Sequence, residues 1–285
     1  MTKARRAANH MEKLALLTRI KDCEREGQFN RDVENDPPAR TLKPDDVDFL
    51  NVKWKSRLCT LAASTIAKAA QPFILRQYRV EFEGLENARS VSGGAVVTCN
   101  HRGKLDSVFI RAAMDKARIR RRLYKIVAEV NFSIPGMAGF LLRHWETLPL
   151  SSSFGTMKKL MCAVEELLRD GNLILVFPEK AMWWNYRKIR PFMRGAFHFA
   201  AANNVPVLPC LITAEDTDRM DENDFPLQKI TVHVMPAIIP DPAKSKRDNE
   251  QWMLALNERV CREKQLDFHS CSEGMAFHPG RQKDA

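Results

Sequence analysis

The sequence lacks several features that would assign it to a common class of protein. It contains no uninterrupted apolar run of the roughly 18–20 residues that a membrane-spanning helix needs. Its basic first residues are not followed by the apolar core of a signal peptide, so export is not expected. Its seven cysteines are odd in number and include no CxxC pair, which favours reduced thiols in a cytosolic setting. Internal repeats and low-complexity tracts are also absent.

What the chain does have is a strong positive charge. A formal net charge of +10 favours an anionic partner, such as nucleic acid, a membrane surface or a phosphorylated ligand. The densest basic cluster comprises Arg118, Arg120, Arg121, Arg122 and Lys125. This cluster has no nucleic-acid motif and no interleaved aromatic residues, so no nucleic-acid partner is expected. A solvated face and a site for phospholipid or cofactor phosphate remain open alternatives.

The segments before residue 79 are predicted to be helical with a linker between them. Residues 2–26 read as a charged helix, and residues 27–48 as a polar linker broken by Pro37, Pro38 and Pro44. From residue 54 to about residue 71, helical spacing links Trp54, Leu58, Leu61, Thr65 and Ala69. Basic residues lie mostly off this stripe, and Pro72 breaks the pattern. Such an amphipathic helix suits a membrane interface, but packing onto the domain explains it equally well.

From residue 79 onward, strand-like and helix-like segments alternate. The candidate strands are 79–83, 94–99, 123–129, 146–150, 172–177, 206–212 and 229–235. The candidate helices are 105–116, 135–144, 154–169, 193–203 and about 248–265. This rhythm predicts an α/β fold, a single domain with a mostly parallel central sheet flanked by helices and preceded by N-terminal helices. The predicted divisions are residues 1–53 (helix and linker), 54–78 (amphipathic helix), 79–268 (α/β domain) and 269–285 (loose tail).

A histidine and a carboxylate follow the second candidate strand. That strand breaks at Asn100, His101 comes next, and Asp106 stands five residues later in the first turn of a helix. Open α/β sheets place ligand sites at the carboxyl ends of their strands. Asp106 can reach one imidazole nitrogen and leave the other free, as needed to take a proton from a hydroxyl. Taken alone, this spacing proves little, because such pairs often arise by chance.

Three further motifs follow in order along the chain. They are Phe177-Pro178-Glu179, then Arg194-Gly195-Ala196-Phe197, and then Val205-Pro206-Val207-Leu208-Pro209. Together with Asn100, His101 and Asp106, the chain resembles the glycerolipid (lysophospholipid) acyltransferases. Their motifs are N-H-x4-D, F-P-E, K/R-G-A-F and V-P-I-x-P. The resemblance covers roughly residues 80–215, and four motifs in order at suitable spacing make it specific.

The resemblance implies transfer of an acyl group from acyl-CoA or acyl carrier protein to a lysophospholipid or glycerol-phosphate-type acceptor in phospholipid synthesis. His101 would be the general base and Asp106 its orienting partner. The residues expected to bind substrate are Arg102, Gly103, Lys104, Glu179, Lys180, Arg187 and Arg194. No metal and no cofactor beyond the thioester substrate is expected. The expected location is cytoplasmic, peripheral on the inner face of an anionic membrane.

The chain departs from the family pattern at two places. After F-P-E the family usually continues with G-T-R, whereas this chain continues with Lys180-Ala181-Met182. Residues 134–136 and 139–143 resemble the family's second block, and where that block often ends in an Asp-Arg pair this chain has Leu150-Ser151-Ser152-Ser153. In the family, the missing arginines are associated with the phosphate of the acceptor. The acceptor's identity is therefore open, and the basic residues near Glu179 are either an alternative phosphate site or surface charge. The adjacent Trp183-Trp184 predicts an apolar lip for an acyl chain or bilayer, or a packed loop.

A few cysteine and histidine residues suggest other chemistries. Cys99 beside His101 suggests a nucleophile pair, but a cysteine within an apolar strand is usually inert. His269, Cys271 and His278 do not match common zinc spacing. The functional alternatives are a non-catalytic member of the same fold that binds lipid or a partner, and a hydrolase of acyl thioesters.

Overall fold

The computed structural model describes residues 3–35 and 40–273, and its centre is a seven-stranded sheet. The strands are β1 (Glu81–Glu83), β2 (Ala95–Thr98), β3 (Leu123–Ala128), β4 (Thr147–Leu150), β5 (Leu173–Val176), β6 (Val207–Met220) and β7 (Pro226–Val234). Their order in the sheet is β1-β7-β6-β2-β5-β3-β4. The five strands from β6 to β4 run parallel, whereas β6 and β7 form an antiparallel pair. The predicted mostly parallel α/β sheet is confirmed.

Helices cover both faces of this sheet. They are α1 (Lys3–Arg25), α2 (Trp54–Gln77), α3 (Leu85–Arg89), α4 (Asp106–Lys116), α5 (Gly136–His144), α6 (Phe154–Arg169), α7 (Gly195–Asn203) and α8 (Lys246–Glu273). A short 3-10 helix spans Glu129–Ser133. The sequence did not predict this element or α3, because five residues are too few to show a helical period.

Alternate residues of the central strands belong to two apolar cores. Val96 and Ile174 pack in a cluster with residues of α6, α7 and α8. Val97 and Leu175 belong to a second cluster, together with residues of α4. Side chains alternate across a strand, so the two clusters lie on opposite faces of the sheet. The continuous apolar runs of β2 and β5 follow from this double coverage.

Two helices extend beyond their predicted ends. The apolar stripe was predicted from residue 54 to about residue 71, where Pro72 breaks the pattern, whereas α2 continues through Pro72 to Gln77, inside the predicted division 54–78. Ile74 and Leu75 pack against the core on the α4 side, and this packing outweighs the hydrogen bond that proline cannot make. The last helix was predicted to end near residue 265, yet α8 reaches Glu273. The loose tail was predicted for residues 269–285; residues 269–273 belong to α8 instead, and residues 274–285 lie outside the described residues.

The segment predicted as a linker packs against the domain. Leu42 and Phe49 are buried, and the Leu42 carbonyl accepts hydrogen bonds from Ser151 Oγ (3.2 Å) and Thr156 Oγ1 (2.7 Å). The polar composition of this segment concealed these few buried apolar positions. Pro37 and Pro38 lie outside the described residues.

Lys125 in β3 is a buried cation whose titration affects stability. Its Nζ donates to the Trp145 carbonyl and lies 3.5 Å from the centroid of the Trp145 ring. Burial lowers the pKa of Lys125 from 10.5 to about 7. Between these values the unfolded chain binds the proton and the folded chain does not, so the free energy of unfolding rises with pH. We expect Lys125 to contribute a slope of up to about 1.4 kcal/mol per pH unit in this window.

Urea unfolding at several pH values between neutrality and pH 10 checks this prediction. The Lys125→Met variant fills a similar volume without the charge, so its slope should be flatter than that of the wild type. Equal slopes for the two proteins would contradict a depressed lysine pKa.

Candidate active site

The chain leaves β2 through a buried asparagine. Asn100 Nδ2 donates to the Ile212 carbonyl (3.0 Å), and Asn100 Oδ1 accepts from the Ile212 N–H (2.8 Å). The side chain thus continues the pairing between β2 and β6 for one step while the backbone turns away from the sheet. His101 is placed by this turn at the carboxyl edge of the parallel strands, where α/β sheets bind ligands.

His101 and Asp106 form a hydrogen-bonded pair at this edge. The imidazole Nδ1 lies 2.9 Å from Asp106 Oδ2, and the same oxygen accepts the backbone N–H groups of Arg102 and Gly103 (2.8 Å each). Asp106 is buried, whereas part of the His101 ring is exposed. Of the two His101 ring nitrogens, only Nδ1 has a hydrogen-bond partner among the described residues. This arrangement places the Nδ1 proton toward the carboxylate and leaves Nε2 available as a base.

The F-P-E motif supports the histidine from the neighbouring strand. The Phe177 ring stacks on the His101 ring with centroids 4.0 Å apart and an angle of 14° between the planes. Glu179 Oε2 accepts the backbone N–H of His101 (3.0 Å). Two residues of this one motif therefore fix both the plane of the imidazole and the backbone that carries it.

Glu179 belongs to a buried ion pair with Arg190. Arg190 Nη2 donates to Glu179 Oε2 (2.9 Å), and the Arg190 N–H donates to Oε1 (2.9 Å). Glu179 is 2% exposed and Arg190 is 1% exposed. Burial lowers the pKa of Arg190, and the Glu179 charge opposes this effect. Since protein donors occupy both carboxylate oxygens, the geometry does not support the expected contact between Glu179 and the acceptor.

Arg102 is also turned into the protein. Its Nη2 donates to Asn185 Oδ1 (3.1 Å) and Gln228 Oε1 (2.9 Å), while Nη1 is buried without a partner among the described residues. Burial lowers the pKa of Arg102 to about 10, which leaves the guanidinium charged at neutral pH. The expected contact of Arg102 with a donor phosphate is therefore not supported, because the side chain is 5% exposed.

The remaining predicted basic residues occupy three different places. Lys104 is exposed with Nζ 3.5 Å from Glu34, and Lys180 is exposed directly after Glu179. Arg187 pairs with Asp216 at 2.5 Å on the surface. Arg194 at the start of α7 pairs with Glu250 of α8 at 2.6 Å. Lys104, Arg187 and Arg194 thus each face a carboxylate, and of the four residues Lys104 and Lys180 are the exposed cations next to His101 and Glu179 in the sequence.

Gly103 contributes to the Asp106 cradle through its backbone. Gly103 was expected to bind substrate, and in the structure its N–H donates to Asp106 (2.8 Å). A Cβ added at this position would meet only Asp106 Oδ1, at an ordinary contact distance of 3.5 Å. We therefore expect Gly103→Ser, the residue that the family often has here, to fold and to retain activity within about threefold, a change of under 1 kcal/mol. Parallel measurement of thermal unfolding and turnover tests this, and a loss beyond a hundredfold would show that glycine is required.

The loop after Glu179 is covered by the N-terminal segment. Trp183 is fully buried, and its Nε1 donates to the Arg31 carbonyl (2.9 Å). Trp184 packs edge-on against Phe225, with centroids 5.2 Å apart. The prediction of an apolar lip was wrong for Trp183, because residues of α1 and the segment after it cover this loop.

Cys99 does not form a nucleophile pair with His101. The thiol is buried, lies 3.4 Å from Asn100 Oδ1, and has a pKa raised well above its usual value by burial. A thiolate is therefore disfavoured at this position. Of the residues weighed for zinc, His278 lies outside the described residues, as do the side chains of His269 and Cys271.

Comparison with known families identifies the part of the chain that carries this site. Residues 79–213 match the family model described as Acyltransferase. Residues 79–213, called the acyltransferase domain below, are therefore similar to the members of this family. These bounds agree with the residues 80–215 covered by the four motifs, and the resemblance to 1-acylglycerol-3-phosphate acyltransferases is confirmed. The acyltransferase domain contains β1 to β5, the His101–Asp106 pair and the start of β6.

Individual relatives share part of the chain. An uncharacterized protein of Mycobacterium leprae is 30% identical over 154 residues, which cover 50% of this chain and 39% of that protein. A chloroplastic 1-acyl-sn-glycerol-3-phosphate acyltransferase of Brassica napus is 27% identical over 137 residues, which cover 46% of this chain and 36% of that protein. The chain thus spans less than half the length of the curated relatives that it matches.

A solved structure shares the fold of the acyltransferase domain. The crystal structure of the 1-acyl-sn-glycerophosphate (LPA) acyltransferase PlsC from Thermotoga maritima superimposes with a TM-score of 0.50. The match covers 73% of this chain and 81% of that chain at 19% sequence identity. At this identity the likeness concerns the fold alone.

Proposed function

We propose that this protein transfers an acyl group from an acyl thioester to a hydroxyl of a lysophospholipid-type acceptor. The observation that carries the proposal is the His101–Asp106 pair, with Nδ1 bound to a buried carboxylate and Nε2 free at the carboxyl edge of the sheet. The match of residues 79–213 to the Acyltransferase family model and the names of the plant relatives support the same reaction class. The donor is acyl-CoA or acyl carrier protein.

The reaction begins when His101 Nε2 takes the proton from the acceptor hydroxyl as the oxygen attacks the thioester carbonyl. Asp106 holds the productive tautomer and stabilises the imidazolium that forms. Collapse of the tetrahedral intermediate breaks the carbon–sulfur bond, and the imidazolium returns the proton to the leaving thiolate. The products are an ester and a free thiol, and this sequence needs no metal ion. The positive end of α4 lies beside the reacting atoms and favours the anionic intermediate.

The accessible cations beside the loop suit an acceptor that carries a phosphate. Lys104 and Lys180 are both exposed; Lys104 follows His101 by three residues, and Lys180 directly follows Glu179, which accepts the His101 N–H. A lysine binds phosphate as a flexible point charge, in contrast to the fixed fork of the arginines that the family uses. The acceptor phosphate is therefore proposed to bind at these two lysines, while Glu179 and Arg102 hold the loop in place.

The direct test is thiol release from palmitoyl-CoA and from palmitoyl acyl carrier protein, with and without a panel of lysophospholipids. Release that requires an acceptor and yields the matching diacyl product is expected, and the most active acceptor defines the substrate class. Release that is independent of acceptor would identify a thioesterase. A folded protein that released no thiol from either donor would contradict the proposal and favour a lipid-binding role.

Association with a membrane surface is proposed through α2. This helix is the one element among the described residues that is long and apolar enough to cross a membrane by length and composition. Its small residues Ala63 and Ala67 are buried, and the helix contacts α4 and α5. Trp54 and Phe73, however, are 69% and 73% exposed. One helix thus packs on the domain and still presents an apolar face, which suits peripheral binding at the inner face of a membrane.

Exchange of the two exposed aromatic residues tests this placement. We expect Trp54→Ser/Phe73→Ser to reduce flotation with anionic liposomes by more than tenfold, because each aromatic side chain contributes about 1.5–3 kcal/mol when it leaves water. Phe154→Ser is the matched control, since Phe154 is 85% exposed on α6 rather than α2. Equal flotation of all three proteins would argue against α2 as the contact surface.

A further inference from the structure

A large cleft lies beneath α2, away from His101. It has a volume of about 1230 Å³ and is bounded by α2, the connection from α4 to β3, and the residues that precede β4. This places the cleft at the amino ends of β3 and β4, whereas His101 follows the carboxyl end of β2. The 11 residues of α4, about 16 Å of helix, run from one place to the other. The cleft is therefore separate from the proposed catalytic site.

The lining of the cleft carries a large excess of positive charge. Seven lining residues are lysine or arginine, and two are carboxylates. Asp115 pairs with Arg111, and Glu146 lies 3.9 Å from Arg122. Five cations are therefore left without a carboxylate partner in the lining. Such a concentration of one sign favours an anionic occupant.

The cations that line the cleft differ in whether a hydrogen bond holds the side chain in place. Arg121 Nη2 donates to the Val91 carbonyl (2.8 Å), which holds its guanidinium in place. Lys68, Arg118 and Arg120 are exposed and have no ion pair or side-chain hydrogen bond within the described residues. One held guanidinium together with exposed, unpaired cations is suited to the oxygens of a phosphate group.

The mouth of the cleft adjoins the apolar face of α2. Leu61 lines the cleft and is 65% exposed, and Leu58, one turn earlier, is 58% exposed. A soluble phosphate ligand gains nothing from such a rim, whereas a phospholipid carries its phosphate directly beside its acyl chains. We infer that the cleft holds the phosphate-bearing headgroup of an anionic phospholipid in the bilayer that α2 contacts. This inference rests on the proposed membrane association and adds a second lipid site, distinct from the one that binds the acceptor.

The test compares flotation of the full chain with vesicles of phosphatidylcholine alone and of phosphatidylcholine mixed with phosphatidylglycerol. We expect Arg118→Gln/Arg120→Gln to lose about thirtyfold in partitioning onto the mixed vesicles and little on the neutral ones. Arg169→Gln/Arg247→Gln is the matched control, because it removes the same charge from exposed positions on α6 and α8. The control should change by less than threefold.

Each other outcome has a defined meaning. Equal losses of partitioning for the two double variants would indicate diffuse electrostatic attraction instead of a defined site, and would overturn the inference. Equal binding of the wild type to both vesicles would also overturn it, yet would leave membrane association intact. If adenosine 3′,5′-bisphosphate released the protein from mixed vesicles, the cleft would serve a soluble phosphorylated ligand instead. Thiol release in detergent with a dispersed acceptor should be unchanged in Arg118→Gln/Arg120→Gln, and its absence in the wild type would refute only the acyltransferase proposal.

Discussion

Replacement of His101 by alanine is expected to lower acceptor-dependent thiol release by about 10³–10⁴-fold, because general base catalysis is then lost from the reacting hydroxyl. The free energy of unfolding should change little, because the His101 ring is partly exposed. Phe177, which stacks on the ring, and Glu179, which accepts the backbone N–H of residue 101, are both unchanged in the variant. Turnover of palmitoyl-CoA with the most active acceptor is the measurement.

Two companion variants sharpen the interpretation of this loss. Asp106→Asn preserves the shape of the cradle but removes the charge that orients the imidazole, so a reduction of about 10²–10⁴-fold is expected. His198→Ala is the matched control, because His198 also pairs with a carboxylate, Glu250, at 3.1 Å but lies on α7. Activity of His101→Ala within tenfold of the wild type would rule out the proposed base, provided that the variant is folded.

Contacts across a regular turn could be predicted from the sequence, whereas contacts made through an irregular loop could not. His101 and Asp106 are five residues apart across one turn, so strand and helix patterns sufficed to predict that they meet. The partner of Glu179 was not predicted, although Arg190 is only eleven residues away. Their pairing depends on the path of an irregular loop, and no hydrophobic period describes such a path. Short-range order is encoded in periodicity, whereas loop-mediated contacts depend on the whole packed structure.

For the same reason, the charge of a residue predicted its contacts less well than the hydrophobic pattern predicted helices and strands. Arg102 and Lys104 follow His101 by one and three residues, and both were expected to bind substrate. In the structure, Arg102 is buried against Asn185 and Gln228, whereas Lys104 faces solvent. The acceptors for Arg102 come from a loop and from β7, which lie more than 80 residues further along the chain. Sequence alone identifies a cation but not the direction in which its side chain points.

The second large expected effect concerns stability. Glu179→Gln should lower the free energy of unfolding by about 3–5 kcal/mol, because it leaves the buried Arg190 guanidinium without its counter-charge. Urea unfolding is the measurement. Glu263→Gln is the matched control, since Glu263 faces Arg259 at 3.9 Å on the exposed side of α8. An exposed pair of this kind contributes under about 1 kcal/mol, so the control should unfold like the wild type.

The same variants distinguish a structural role for Glu179 from direct binding of the acceptor. Glu179→Gln/Arg190→Met removes both charges, and it should recover much of the stability lost in the single variant. Because Glu179 also holds the His101 backbone, kcat should fall in Glu179→Gln while the KM for the acceptor changes little. A raised acceptor KM with an unchanged free energy of unfolding would show instead that the carboxylate contacts substrate. The buried contacts of both oxygens argue for the first outcome, in which Glu179 binds the His101 backbone directly while Arg190 holds the Glu179 carboxylate in place.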